Sequence, residues 1–391
     1  MGNRAALEAS LKQINKEAGK PVVFTGKEAE KNGALKLRWI KTPSIELNNA
    51  LHGGFAKIVE LYGGQGSGKT SLVLDTIALN QKEDPDFIAA WLETEGSITD
   101  KIMKDHGIDM DRIIFWKQED IGNAEKALDV ARALLKCKNT EDAQIDMLVV
   151  NSIAGLSPKA EVEDDLEKQN IALTARIMSK FFRVANGFIN NGKITAIFIN
   201  QTRENVGQMF GDKTTTPGGK ALGFYASQRI RLGQVKLEKK DPITQEEGVK
   251  ISCYVKKNRV GNPPFTHCTY YATFTGGVDK YAGIPGIIQE NGLMEVKGAH
   301  WYLLDENGKP VVIDGIEGHF SSRKEFVETL RNSDAWYNTI TDIISSHVKA
   351  QQQTPEEQKQ AQEENNALEA FMRETEANEL EEALRENMEG E

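Results

Sequence analysis

The chain has 391 residues, of which 39% are hydrophobic and 27% charged, ordinary values for a folded protein that exclude wholly disordered and collagen-like classes. Its three cysteines, an odd number at wide spacing, exclude a disulfide framework and favour a reducing compartment. No stretch approaches eighteen consecutive apolar residues, and the N-terminal segment lacks a signal-peptide core. We therefore expect a cytoplasmic protein without a membrane partner.

The net charge of −10 belongs to the C-terminal end of the chain. Residues 355–391 contain thirteen glutamates and three basic residues, so the preceding 354 residues are formally neutral. A segment with Phe371 as its sole aromatic residue cannot bury enough apolar surface to fold alone. We predict a disordered acidic tail over residues 351–391.

In chain order, the first predicted element is a short amphipathic helix over residues 3–18. Apolar side chains recur at helical spacing on one face, at Leu7, Leu11, Ile14 and Ala18. Glycines and a proline then separate this helix from the next apolar pattern. Residues 1–34 are thus predicted to be a helix and linker that dock on something other than their sequence neighbours. The alternative, a helix that covers its own core, stays open.

Residues 35–275 are predicted to form an α/β core. Apolar runs at residues 58–62, 88–92, 145–150 and 194–199 predict buried parallel strands, and helical stretches at 70–81, 123–137 and 171–190 separate them. This alternation indicates a mainly parallel sheet covered on both faces, followed by antiparallel strands at 249–255 and 268–274.

A small α+β lobe is predicted over residues 276–350. It has helices at 284–290, 323–330 and 335–348 and a hairpin at 301–312 that turns at Glu306, Asn307 and Gly308.

Each predicted parallel strand is followed by glycine or polar residues. These residues are Gly63, then Glu93 and Glu95, then Asn151 and Ser152, and finally Asn200 and Gln201. Ligands of open parallel sheets bind beyond the carboxyl ends of the strands. The four strand ends therefore predict one shared site.

A phosphate-binding loop follows the first of these strands. The pattern of the loop and the next residue is Gly63, Gly64, Gln65, Gly66, Ser67, Gly68, Lys69, Thr70 and Ser71. Backbone N–H groups and the helix dipole attract an anion there, Lys69 suits the β- and γ-phosphates, and the Thr70 hydroxyl suits Mg²⁺. ATP and Mg²⁺ are the predicted cofactors. The alternative is a glycine-rich structural turn.

Three strand-end side chains are candidates for nucleotide chemistry. Glu95 would orient the attacking water, with Glu93 as the alternative, and Gln201 would contact the γ-phosphate. Asn151 stands where an aspartate is expected to order Mg²⁺ through water. Loss of that charge predicts weaker Mg²⁺ affinity or slower turnover.

Residues 202–220 show no regular period and are predicted to be a functional loop. Its cationic, apolar, glycine and threonine residues suit the binding of single-stranded DNA, and a lid over the nucleotide is the alternative.

Lys256, Lys257 and Arg259 form a second basic cluster. They are either a solvated edge or cations that reach a neighbouring subunit's phosphate site.

Motifs spread along the chain resemble the RecA family of DNA recombinases. The matching segments are 6–19, the phosphate loop, 157–161, 198–201, 209–211, 218–222, 224–227, 257–259 and 299–302. The resemblance implies a helical filament on single-stranded DNA that pairs with a homologous duplex and exchanges strands, with ATP binding as the switch. It also implies that Glu95 is the catalytic carboxylate, Gln201 the γ-phosphate sensor, and Lys257 and Arg259 cross-subunit cations. Arg259 replaces a family lysine.

The resemblance also assigns DNA and protein contacts. It implies a first DNA loop at 163–171, followed by Arg176, and a second at 202–219; their candidate residues are Ile171, Arg176, Arg203, Val206, Met209, Phe210, Gly218 and Gly219. The N-terminal helix and Phe224 would contact adjacent protomers. The basic residues of the small lobe would receive duplex DNA in competition with the acidic tail, and single-strand-binding and loading proteins are further partners. A ring helicase or motor, and a slow-hydrolysing DNA-coating protein, remain alternatives.

Overall fold

Alternating apolar strands and amphipathic helices build the larger of two units. The computed structural model describes residues 2–137, 145–163, 173–204, 214–238, 248–261, 263–274, 277–305 and 307–352. The first unit ends at Asp279 and the second begins at Lys280. Within those ranges, no helix combines the length and the apolar composition that a membrane span requires. The predicted acidic tail lies almost wholly outside the described residues.

The first unit contains ten named helices and eleven named strands within the described ranges. The helices are α1 (Gly2–Glu17), α2 (Gly26–Lys31), α3 (Ile45–Leu51), α4 (Lys69–Glu83), α5 (Asp100–Asp105), α6 (Gln118–Ile121), α7 (Ala124–Cys137), α8 (Lys159–Glu163), α9 (Leu173–Gly192) and α10 (Lys220–Tyr225). The strands are β1 (Ile58–Gly63), β2 (Ala89–Glu93), β3 (Ile113–Lys117), β4 (Met147–Asn151), β5 (Thr195–Gln201), β6 (Arg203–Glu204), β7 (Thr214–Thr215), β8 (Gln228–Glu238), β9 (Gly248–Asn258), β10 (Thr266–Thr273) and β11 (Gly277–Val278).

Nine of these strands form one sheet in the order β11-β10-β9-β8-β1-β5-β4-β2-β3. The six strands from β8 to β3 are parallel, and β9, β10 and β11 continue the sheet antiparallel. Every residue of β1, β2 and β4 is buried because helices cover both faces of the sheet. One apolar core includes residues of α3 and α4, and the other includes residues of α7, α9 and α10.

The structure confirms the mainly parallel α/β sheet and its four predicted strands, which are β1, β2, β4 and β5. Two further parallel strands, β3 and β8, were not predicted. The prediction that residues 202–220 lack regular structure is wrong at both ends, because β6 pairs with β7 and α10 begins at Lys220. Antiparallel pairing of the two short strands orders the backbone on either side of residues 205–213, which lie outside the described residues.

The second unit is an α+β lobe around a cluster of aromatic rings. Its elements are α11 (Ile284–Asn291), β12 (Glu295–Lys297), β13 (His300–Tyr302), β14 (Val312–Ile313), β15 (Ile316–Glu317), β16 (His319–Phe320), α12 (Arg323–Asn332) and α13 (Asp334–Gln352). Phe320 packs on Phe326 at 5.0 Å and on Trp336 at 5.3 Å between ring centroids. The predicted hairpin within 301–312 forms, because Leu304 and Pro310 make an antiparallel bridge and Val311 N–H donates to the Leu303 carbonyl at 2.9 Å across a turn at Asn307 and Gly308. Strand β13 also pairs with β12 and β16.

A buried ion pair joins β1 to β8 at the centre of the sheet. Glu60 is fully buried, and its carboxylate accepts hydrogen bonds from Arg229 Nε and, at 3.2 Å, from Asn200 Nδ2. The guanidinium also lies 5.3 Å from the ring centroid of Tyr62. A carboxylate inside an apolar strand is tolerated because these donors replace its lost hydration.

We expect Arg229→Met to destabilise the first unit by about 3–5 kcal/mol, because it leaves the Glu60 charge buried without a counter-ion. The double variant Glu60→Gln/Arg229→Met removes both charges and should unfold at a higher temperature and a higher urea concentration than the single variant. Thermal and urea denaturation of the three proteins measures the difference. Equal loss in the single and double variants would contradict the role of the uncompensated charge.

Candidate functional site

The phosphate loop lies between β1 and α4, as the sequence predicts. Gly68 immediately precedes α4 with a φ of +81°, in the left-handed region that favours glycine. A Cβ atom at Gly68 would lie 2.6 Å from Ile251 Cδ1, so β9 also excludes a side chain there. The positive end of the α4 dipole therefore faces a turn whose backbone is exposed at Gly64, Gln65 and Gly66.

Lys69 places a cation inside this turn. Its Nζ donates to the carbonyl oxygens of Gly63 at 3.2 Å and Gly64 at 2.8 Å and to Ser67 Oγ at 3.3 Å, and the residue is only 8% exposed. Burial lowers the pKa of the Lys69 ammonium, and the negative charge of Glu95 partly opposes that effect. An incoming phosphate would supply the counter-charge that the ammonium lacks within the turn.

Glu95 and Gln201 meet at the same edge of the sheet. Gln201 Nε2 donates to Glu95 Oε1 at 2.9 Å, and the Ser152 hydroxyl donates to the same oxygen in a short contact. Glu95 is exposed, so water can reach its carboxylate. Side chains that follow β2, β4 and β5 thus converge near Lys69. This arrangement brings together three of the five residues for which the sequence predicts a catalytic role.

Of the two glutamates at the end of β2, only Glu95 has a carboxylate that water can reach. Glu93 is 1% exposed, and its Oε1 accepts from the backbone N–H groups of Glu95 at 3.0 Å and Ser97 at 3.2 Å. Its Oε2 accepts from Trp91 Nε1 and Asn151 Nδ2, both at 2.9 Å. With both oxygens occupied in the core, Glu93 shapes the strand end instead of facing a reacting atom.

Asn151 is fully buried beside Glu93 and presents one amide oxygen without a donor. Within the described residues, no group donates a hydrogen bond to Asn151 Oδ1. Mg²⁺ prefers hard oxygen ligands and usually keeps several waters and phosphate oxygens. The Thr70 hydroxyl and the orphaned Asn151 oxygen fit such a cation, Asn151 through water. The described part of the chain contains no cluster of three acidic, histidine or cysteine ligands that would bind a metal by itself.

Thr94 is a site residue that the sequence did not reveal. Its Oγ1 donates to the Ser152 carbonyl at 2.7 Å and accepts from Ser152 N–H at 2.8 Å. A Cβ atom at Gly155 would lie 2.4 Å from the same Oγ1, so the turn after β4 packs closely on Thr94. These contacts fix Ser152 in the position from which its hydroxyl donates a hydrogen bond to the Glu95 carboxylate. The only sequence signal was the position of Thr94 between two glutamates at a strand end.

Comparison with known proteins decides the family. The family model described as RecA N-terminal domain matches residues 5–279. The chain belongs to the RecA family. Protein RecA of Tropheryma whipplei (strain Twist) is 35% identical over 342 residues, 87% of this chain and 73% of the relative. Protein RecA of Acholeplasma laidlawii is 34% identical, covering 83% of this chain and 94% of the relative, and Protein RecA of Nostoc sp. (strain PCC 7120) is 31% identical, covering 93% and 98%. The resemblance predicted from the motifs is confirmed.

The two cations that the RecA-family resemblance places across a subunit boundary lie away from Lys69. Lys257 and Arg259 are at and just beyond the end of β9, where Lys257 pairs in register with Arg229, whereas the phosphate loop follows the opposite end of β1. Lys257 Nζ donates to the carbonyl oxygens of Gly223 at 2.8 Å and Phe224 at 3.0 Å. Within one protomer Lys257 therefore contacts α10, and a role of Lys257 and Arg259 at a phosphate remains a prediction about a neighbouring copy.

The predicted DNA-binding residues are only partly within the described chain. Arg176 on α9 and Arg203 on β6 are exposed, which leaves both guanidinium groups available to solvent. A Cβ atom at Gly218 would lie 2.7 Å from Ile153, and one at Gly219 would lie 2.6 Å from the Ala175 Cβ, so close packing explains both glycines. Ile171, Val206, Met209 and Phe210 lie outside the described residues.

The Asn151–Glu93 contact predicts how an aspartate at position 151 would behave. Asn151→Asp alone puts two carboxylates at a buried contact of 2.9 Å, so one must bind a proton or the strand ends must separate. The double variant Glu93→Gln/Asn151→Asp keeps an amide–carboxylate hydrogen bond and moves the charge to β4. We expect the double variant to need less Mg²⁺ than the wild type for nucleotide-dependent thermal stabilisation.

A magnesium titration of the Tm with ATP present measures this effect in the wild type, both single variants and the double variant. Replacement of the Glu93 carboxylate also removes the acceptor of the Trp91 Nε1 hydrogen bond, and the single variant Glu93→Gln controls for that loss. Superimposable titrations of the double variant and the wild type would remove the proposed effect of the amide on Mg²⁺ affinity.

Lys257 should titrate in the alkaline range of ordinary assays. Burial first, and then the charges of Arg259 and Arg229, lower its pKa from 10.5 to about 8. The unfolded chain binds more protons between these values, so folding stability from Lys257 rises with pH from about 8 towards 10.5 and is absent below about 8. We expect its acylation by an amine reagent, followed by mass spectrometry, to have a midpoint near pH 8. Exposed Lys250 on the same strand reports the general rise in reactivity, and an identical profile at both lysines would contradict the desolvation of Lys257.

Proposed function

We propose that this RecA-family chain is an ATP-dependent recombinase that assembles as a helical filament on single-stranded DNA, pairs it with a homologous duplex and exchanges strands. Membership of the family supports nucleotide binding, a divalent cation, single-stranded DNA binding and self-association. The observation that supports a nucleotide-controlled recombinase is the Gln201–Glu95 hydrogen bond. It joins the carboxylate proposed to orient water to the residue that directly precedes residues 202–219.

Each residue of the edge has a physical task in this proposal. The Lys69 ammonium would exchange its backbone carbonyl partners for phosphate oxygens, which are stronger acceptors. Glu95 would orient water, and Gln201 would release Glu95 to donate to the terminal phosphate. Bound Mg²⁺, held by Thr70 and through water by Asn151, would neutralise phosphate charge. Because β6 begins two residues after Gln201, rotation of that amide would pull directly on the backbone of the DNA segment.

Self-assembly would complete the nucleotide site. Lys257 and Arg259 cannot serve the phosphate loop of their own protomer from the far end of the sheet, so their proposed role requires a second copy. Exposed apolar side chains suit such contacts, with Phe224 67% exposed on α10 and Leu7 54% exposed on α1. A cation added from a neighbour can raise phosphoryl-transfer rates by orders of magnitude.

Strand exchange between homologous substrates, with electron microscopy of the same mixtures, tests the proposal. Helical filaments on single strands and ATP-dependent exchange of a labelled strand are expected. Closed hexameric rings would instead support a ring motor, and filaments without exchange would support a DNA-coating protein. Heterologous duplex is the matched control, because a recombinase must leave it unpaired.

Two variants separate nucleotide binding from hydrolysis. Glu95→Gln should lower DNA-stimulated ATP hydrolysis by about 10²–10⁴-fold, the usual effect of removing a positioned catalytic base, while ATP-stimulated DNA binding persists. Lys69→Ala should abolish both, since the phosphate loses its buried cation. Phosphate release and fluorescence anisotropy of labelled DNA report the two activities. Wild-type hydrolysis by Glu95→Gln, or unchanged ATP-stimulated binding by Lys69→Ala, would remove the assigned roles.

A further inference from the structure

Two cysteines face each other across the antiparallel pair β9–β10. Cys253 and Cys268 are direct cross-strand partners, and their thiols hydrogen-bond to each other. Opposed Cα atoms in antiparallel sheets lie about 4.5–5.5 Å apart. Disulfides span Cα separations of about 4.4–6.8 Å, so the backbone already has a spacing that a disulfide can use.

The two thiols differ in access. Cys253 is fully buried, in the same apolar core as Leu47 and Leu51 of α3, and burial raises the pKa of its thiol well above the usual value. Cys268 is half-buried and packs against that core. An oxidant from solvent therefore reaches Cys268 first, and Cys253 is the thiol positioned to react with the oxidised product.

The cysteine pair lies next to the residues that pack under the phosphate loop. Ile251 and Tyr270 are also cross-strand partners, two residues from the cysteines and on the same face of the sheet. The Cβ position of Gly68 is 2.6 Å from Ile251 Cδ1 and 3.9 Å from Tyr270 Oη. A change in the spacing of β9 and β10 at the cysteines would therefore move Ile251 and Tyr270 relative to Gly68, in the turn that holds Lys69.

We propose that Cys253 and Cys268 form a reversible disulfide in response to hydrogen peroxide and that this bond weakens nucleotide binding. The Cys268 thiol loses its proton and the thiolate attacks one oxygen of hydrogen peroxide. The O–O bond breaks, a sulfenic acid forms on Cys268, and the displaced hydroxide leaves as water with the Cys268 proton. The Cys253 sulfur then attacks the Cys268 sulfur, and the displaced hydroxide leaves as water with the Cys253 proton. Two thiols lose two electrons, one peroxide is reduced to two waters, and a dithiol reductant reverses the bond.

The bond would act on the loop through distance. Cβ atoms of cross-strand neighbours are about 4.5–5.5 Å apart, whereas a disulfide brings them to about 3.5–4.5 Å. Closing that gap draws β9 and β10 together beneath Ile251, which already limits the space at Gly68. We expect ATP affinity to fall about tenfold, the effect of about 1.4 kcal/mol of lost interaction. This consequence rests on the proposed nucleotide site, whereas the disulfide does not.

Peptide mapping of full-length protein tests the bond. All samples carry Cys137→Ser, which removes the exposed third cysteine, and are treated with equimolar hydrogen peroxide before non-reducing digestion. The expected product is a linked pair of peptides containing Cys253 and Cys268, absent from the Cys268→Ser control and lost after dithiothreitol. Sulfinic acid on Cys268 with Cys253 still alkylated after unfolding would overturn the disulfide.

Binding of a fluorescent ATP analogue to the same samples tests the regulation. The linked protein should bind about tenfold more weakly and recover with dithiothreitol, while treated Cys268→Ser keeps the affinity of its untreated form. Unchanged affinity in fully linked protein would overturn the regulatory effect. Failure of the untreated protein to bind the analogue would instead count against the proposed function, and the peptide map would still decide the bond.

Discussion

The hydrogen bond from Gln201 to Glu95 is the contact on which the proposed nucleotide switch depends. It crosses from the end of β5 to the segment after β2, over β4 that lies between them in the sheet. Only a parallel arrangement places these carboxyl ends at one edge, and only buried strands fix their spacing. The phosphate loop follows β1 on the other side of β5, so the Gln201–Glu95 pair lies between the proposed nucleotide site and the segment proposed to bind DNA.

The ends of β2 and β4 carry one carboxylate and one amide in direct contact. The end of β4 carries the amide of Asn151 and the neighbouring end of β2 carries the carboxylate of Glu93, joined by a hydrogen bond. A carboxylate on both strands would place two negative charges in a buried contact. An amide at position 151 therefore suits the local contacts, because it donates to Glu93 and still offers one oxygen. Deeper in the sheet, Arg229 satisfies Glu60 in the same manner.

Local patterns in the sequence were enough to predict the phosphate loop, four central strands and the polar strand ends. Strand β8 was not predicted because Ile230 and Leu232 alternate with Arg229 and Arg231. It therefore lacks the continuous apolar run by which the four central strands were predicted. The pairing of Glu60 with Arg229 could not be predicted, since 169 positions separate them and the register of β1 and β8 decides the contact. The cysteine pair needed the register of β9 and β10 for the same reason.

The most direct measurement of the central claim is the affinity for single-stranded DNA with and without a non-hydrolysable ATP analogue, in the wild type and in Gln201→Ala. We expect the analogue to strengthen DNA binding in the wild type, and Gln201→Ala to retain analogue binding but lose this gain in DNA affinity. Equal DNA affinity of the wild type with and without the analogue, or an undiminished gain in Gln201→Ala, would contradict a nucleotide signal that passes through this side chain.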